Sequence, residues 1–104
     1  MRNIQSPTAD INTPSIVTSA GTVLDANTAR RSWHVQNVGT NPIFVRIGGA
    51  ASSTVFHYAL SAGTGASDGL GGSCGDDGSG DVRSGLISIA GTTPKVVVTE
   101  SGDA

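Results

Sequence analysis

The feature that most limits the folds open to this chain is a motif written twice. Gly39-Thr40-Asn41-Pro42 and Gly91-Thr92-Thr93-Pro94 lie 52 positions apart, and six residues separate each from an upstream Arg-Ser pair, Arg31-Ser32 and Arg83-Ser84. A short apolar run flanks each motif on both sides. Apolar run, Gly- and Pro-marked break, apolar run is how a β-hairpin with a short loop is written. Proline suits the start of a returning strand, where its missing N–H removes no bond from mid-ladder, and it drives the preceding residue towards extended geometry. The expected fold is all-β: a single small antiparallel β-sandwich or jelly-roll-like domain with an extended N-terminal arm.

Period-two patterning assigns the faces. In the first copy Trp33, Val35, Ile43, Val45 and Ile47 are expected inward, with His34, Gln36, Phe44 and Arg46 on the other face. Phe56, Tyr58 and Leu60 alternate with His57 and Ala59 and are expected inward as well. Residues 1–14, interrupted by Pro7 and Pro14, read as the arm, and residues 15–104 as the sandwich. A first strand is expected over 16–23, bent near Gly21. Residues 61–81 hold eight glycines and the acids Asp68, Asp76, Asp77 and Asp81, and read as one long Gly-rich loop. No window repeats with helical period, and Gly and β-branched residues disfavour helix.

Composition limits what such a domain can do. The 104 residues suit one modest core, with only Trp33, Phe44, Phe56 and Tyr58 as aromatic anchors. Small scaffolds often gain stability from partner subunits, so self-association is expected. Six basic residues are scattered against eight acidic ones, which provides no basic stripe for nucleic acid. Arg30 and Arg31 are the one basic pair; they read either as a solvated strand start or as an interface pair awaiting a carboxylate. Cys74 is the lone cysteine, so no internal disulfide and no Cys-based zinc site can form. Neither a leader-like apolar stretch nor a run of about 20 apolar residues is present, and membrane association is not expected.

Catalysis requires a constellation. Ser32 with His34 and Asp25, or Cys74 with His57, would supply nucleophile and base, but no Gly-x-Ser-x-Gly elbow accompanies them and serine is common enough to place such sets by chance. Paired carboxylates for hydrolysis need a rigid platform, which a Gly-rich segment does not offer. Asp76, Asp77 and Asp81 could present oxygens to Ca²⁺, yet their spacing is not that of an EF-hand. A solvated loop is the simpler reading. Phe44 or Trp33 could serve as a stacking platform for sugar. The chain is therefore read as no enzyme, with no catalytic, cofactor or metal site. The residues nominated for partner contact are Ile4 and Ile11 in the arm, Arg30 and Arg31, and Phe44 and Arg46 on the outer face of the first hairpin.

The run Arg30-Arg31-Ser32-Trp33-His34-Val35-Gln36-Asn37-Val38 through Ile47-Gly48, then Phe56-His57-Tyr58-Ala59-Leu60, the Asp-Asp-Gly stretch, and Gly85-Leu86-Ile87-Ser88-Ile89-Ala90 through Thr99-Glu100 resemble small virion proteins of tailed bacteriophages. The type they resemble is the capsid decoration, or cement, protein, over residues 30–101. That resemblance implies a structural protein on the outer capsid surface, made in the host cytoplasm. It would be a homotrimer, or else a dimer, clamped across major capsid protein subunits and stabilising the shell. Similar sequences also resemble tail or fibre parts, which implies the other reading, a receptor- or carbohydrate-binding module.

Overall fold

The computed structural model describes residues 8–65, 70–76 and 85–103. Eight strands follow in chain order: β1 (Thr8–Val17), β2 (Gly21–Leu24), β3 (Arg30–Asn37), β4 (Ile43–Ile47), β5 (Tyr58–Leu60), β6 (Ser73–Asp76), β7 (Ile87–Ala90) and β8 (Val96–Asp103). They form two four-stranded antiparallel sheets, ordered β1-β8-β3-β6 and β2-β7-β4-β5. β1 lies by β8, β2 by β7, β3 by β6 and β4 by β5. The chain is thus one long two-stranded ribbon, doubled back at the β4–β5 link and wound around a core. That is the strand order of a jelly roll within the all-β sandwich class. Among the described residues no helix is long and apolar enough to cross a membrane.

The repeated motifs are sheet crossings. β3 belongs to the first sheet and β4 to the second, β7 to the second and β8 to the first, so neither Gly-Thr-x-Pro break closes a hairpin. Each is an arch that carries the chain across the ~10 Å between packed sheets. The reason is local: the Val38 and Gly39 N–H groups both donate to the Lys95 carbonyl of the second arch, at 2.9 and 3.0 Å. Strand pairing then crosses between the copies, β3 with β8 and β4 with β7.

The arches touch reciprocally. A Cβ on Gly39 would stand 3.2 Å from Lys95 Cβ, and one on Gly91 would stand 2.7 Å from Ile43 Cδ1 and 2.8 Å from the Pro42 carbonyl. Lys95 occupies in the second copy the place of Ile43 in the first. Each glycine therefore makes room for the equivalent residue of the other arch, a local two-fold relation. The copies differ at the third motif position, where Thr93 takes φ of 45°. A β-branched residue is strained there, whereas asparagine, which the first copy carries as Asn41, tolerates that region.

Leu24, Trp33, Val35, Ile43, Val45, Leu60, Ile87, Ile89, Val96 and Val98 form the core, with Ile47 packed against it. The inward assignments for Trp33, Val35, Ile43 and Val45 hold. Those for Phe56 and Tyr58 do not: they are 41% and 40% exposed, and of that trio only Leu60 is buried. Tyr58 lies opposite Val45 on the inner side, but β5 is the last strand of its sheet, and among the described residues no strand continues the sheet beyond it. Phe56 precedes β5 and packs on Phe44 from outside.

Two boundaries also move. The arm expected over 1–14 meets a strand from Thr8 on, paired with β8, and residues 8–14 belong to the first sheet. The expected first strand over 16–23 is two strands in different sheets. Within the expected loop 61–81, Ser73–Asp76 is a strand on β3. Its glycines are required by proximity: a Cβ at Gly75 would fall on the Trp33 carbonyl and one at Gly71 on the Asn37 carbonyl. Urea denaturation checks both arguments. Thr93→Asn should raise stability by about 1 kcal/mol by relieving backbone strain, while Gly75→Ala should lower it by about 2 kcal/mol or more through overpacking.

Candidate functional site

Alternation along β4 and β7 directs Phe44 and Arg46, and Ser88 and Ala90, to the outer face of the second sheet, where Phe44 lies opposite Ala90 and Arg46 opposite Ser88. The link 48–57 folds over this face as a flap. Ser88, 2% exposed, pins it: its hydroxyl donates to the Gly49 carbonyl at 2.6 Å and accepts from Ala51 N–H at 2.9 Å. Arg46 Nη1 donates to the Ala50 carbonyl at 3.1 Å, and its guanidinium lies against Gly49, where a Cβ would stand 2.9 Å from Cζ. Beyond Ala51 the flap turns tightly, with Ser52 N–H on the Val55 carbonyl, and returns to β5, where His57 Nδ1 accepts from Ile47 N–H at 3.1 Å.

The flap divides the face. On the β4–β5 side Phe44 and Phe56 pack ring against ring at 4.9 Å, and Val55, next to Phe56 in the chain, is exposed. On the β2–β7 side lies an apolar cleft of about 440 Å³ lined mostly by small residues, among them Ala20, Gly21, Thr22, Ala50, Ala51 and Ala90, together with Leu86 and Ile89. Across β2, β4, β5, β7 and the flap, Arg46 is the single Asp, Glu, Lys or Arg. Depletion of charge with exposed aromatics is the composition of the central part of a protein interface.

The nominated residues separate. Phe44 and Arg46 meet on this face. Arg30 is corrected from partner contact to interior: its side chain is fully buried, Nε donates to Glu100 Oε2 at 2.7 Å, Nη1 to the Gly85 carbonyl at 2.8 Å and Nη2 to the Asp25 carbonyl at 2.6 Å. A guanidinium with that many acceptors joins β3, β8 and the links flanking β2 and β7 at one end of the sandwich. Arg31 is half-buried on β3, Ile11 lies in β1, and Ile4 lies outside the described residues.

The catalytic combinations do not assemble. Ser32 Oγ bonds Ser101 Oγ on β8, and His34 stands exposed on the outer face of the first sheet. Cys74 pairs with Val35 and is partly buried, and desolvation pushes its thiol up to about 12. Trp33, 3% exposed, is no stacking platform; its ring meets Tyr58 edge-on, and among the described residues its Nε1 is the one buried side-chain polar atom without a hydrogen bond. Among the described residues no group of three His, Cys, Asp or Glu is placed to hold a metal. Asp76 ends β6, while Asp77 and Asp81 lie outside the described residues.

Sequence reading missed the flap, the cleft and the outward position of Phe56. Gly48-Gly49-Ala50-Ala51, followed by a charge-free stretch to His57, was the available signal. No family model, curated protein or solved structure matches the chain.

Arg30→Met should cost about 3–5 kcal/mol in urea denaturation, because it strips the guanidinium from a buried carboxylate, and adding Glu100→Leu should recover much of that loss. Ellman's reagent should label Cys74 slowly at pH 8 in the folded protein and rapidly in urea. Because the folded thiol titrates higher than the unfolded one, stability is at its full value below the unfolded thiol's range and should fall as pH rises above it.

Proposed function

We propose that the chain is a structural virion protein of a tailed bacteriophage, a homo-oligomer that binds major capsid protein subunits on the outer capsid surface and stabilises the shell. The observation that carries this reading is the outer face of the second sheet, a preformed, nearly charge-free surface that carries the Phe44–Phe56 ring pair, with Phe56 exposed. Such a surface suits packing against protein rather than turning over a substrate. The resemblance of residues 30–101 to decoration proteins supports it. So does the jelly-roll strand order, which viral capsid proteins also use, a warrant by fold analogy alone.

A second reading, a receptor- or carbohydrate-binding module of a tail or fibre, draws on the same exposed rings, since aromatic faces also stack on sugars and lectins also use jelly rolls. Mass spectrometry of purified virions tests the first reading: copies in the hundreds, retained through a density gradient, are expected. Absence from particles would overturn it. Glycan-array binding lost on Phe56→Ala would favour the second.

A further inference from the structure

We propose that the outer face of the second sheet takes a second copy of itself, face to face about a two-fold axis parallel to the strands, with each copy's Phe44–Phe56 pair docked in the other's cleft. This rests on the homo-oligomer part of the reading above and gives this face to the second copy, which leaves capsid contact to the rest of the surface; it is tested without any capsid.

The argument begins with the order β2-β7-β4-β5. The aromatic knob occupies the β4–β5 half of the face and the small-residue cleft the β2–β7 half, with the pinned flap between them. Turning a copy over about an axis along the strands lays β5 above β2 and β2 above β5. Knob then meets cleft twice, which is the self-complementarity a two-fold interface demands. A two-fold axis lying across the strands would instead set knob on knob and leave both clefts unfilled.

Chemistry selects the same occupant. Arg46 is the one charged side chain on the face and is held by the neutral Ala50 carbonyl, so the like-charge pair set across the axis is the one term that opposes association. Exposed Phe56 and Val55 are apolar surface in want of cover, and the cleft is walled by alanines in want of a filler. A specific interface buries about 800 Å² per partner. That is about a seventh of the 5850 Å² surface of this chain.

Sheet edges compete poorly as self-association surfaces. β5 has 3 residues and β6 has 4, and the register of β1 slips between Asp10 and Asn12 and again before Ser15. Short or irregular edges discourage strand addition.

Two exposed positions allow a test that does not disturb the core. Thr22→Glu places a carboxylate in the cleft, and Phe56→Lys places an ammonium on the knob. Analytical ultracentrifugation of the full chain should give a dimer. Each variant, shown by circular dichroism to retain the β spectrum, should dimerise at least ~30-fold more weakly, as expected for loss of a central contact. An equimolar mixture of the two should recover a 1:1 dimer weaker than the parent, since one intact knob again meets one intact cleft. A monomeric or trimeric parent would overturn the proposal, as would a Thr22→Glu protein that dimerises normally or a mixture that recovers nothing. Particle association is read separately, so a failure here leaves the virion assignment to its own experiment.

Discussion

Where two sheets pack face to face, the chain must cross between them, and every crossing takes backbone N–H and C=O groups out of both ladders. In this protein the two central crossings answer one another. The Lys95 carbonyl of the second arch accepts from Val38 and Gly39 of the first, and Gly91 admits Pro42 and Ile43. Val38, Gly39 and Pro94 are buried there, so polar groups that would otherwise need water are satisfied inside the protein. With both arches seated, β3 is set beside β8 and β4 beside β7, and the central pairs of both sheets follow from one contact. Only glycine at positions 39 and 91 allows the approach without displacing the neighbouring arch.

Each end of the sandwich has its own buried polar group. At the arch end Asn37, fully buried, accepts from Gly39 N–H and donates to the Asn41 and Ser61 carbonyls at 2.8 and 3.1 Å, tying the first arch to the link that follows β5. The same link is held by Gly63 N–H on the Gly39 carbonyl and by Lys95 Nζ on the Gly65 carbonyl. At the other end the Arg30–Glu100 pair collects two carbonyls. Neither device adds much net stability over a well-packed apolar equivalent, since desolvation offsets most of the gain. What they select is the arrangement: a wrongly placed link would leave an amide or a guanidinium buried without acceptors, at a cost of several kcal/mol.

The β class and most inward positions of β3 and β4 were legible because period two is a property of single strands. Sheet membership was not, because an arch and a hairpin use the same turn residues and differ only in which neighbours receive the backbone hydrogen bonds. For the same reason the Gly-Thr-x-Pro motifs read as hairpin loops while their partners lie 52 residues away. Gly71, Gly72 and Gly75 looked like a flexible segment, since a glycine needed for close approach cannot be told in sequence from one that confers freedom. Arg30 illustrates the remaining gap. Its acceptors come from Asp25, Gly85 and Glu100, and nothing local announces that a charge will be enclosed by groups so far apart in the chain. Phe44 was correctly set outward, but its companion Phe56 lies across a link whose path depends on Ser88, a residue 39 positions from the carbonyl that accepts its hydroxyl proton.

That hydroxyl also explains why the surface nominated for association is usable. A ten-residue link of mostly small side chains would, untethered, lose considerable conformational entropy on being pressed against another protein, about 1–2 kcal/mol for each backbone residue newly fixed. Ser88 and Arg46 hold the first part of the flap through three hydrogen bonds, and His57 anchors its return. Ordering has therefore been completed on folding, and the cleft exists before a partner arrives. Preorganisation of this kind converts modest apolar burial into binding that survives the entropic cost of association. The face gains affinity from rigidity where its few aromatic rings alone would give little, which makes the buried serine as important to recognition as the exposed phenylalanine.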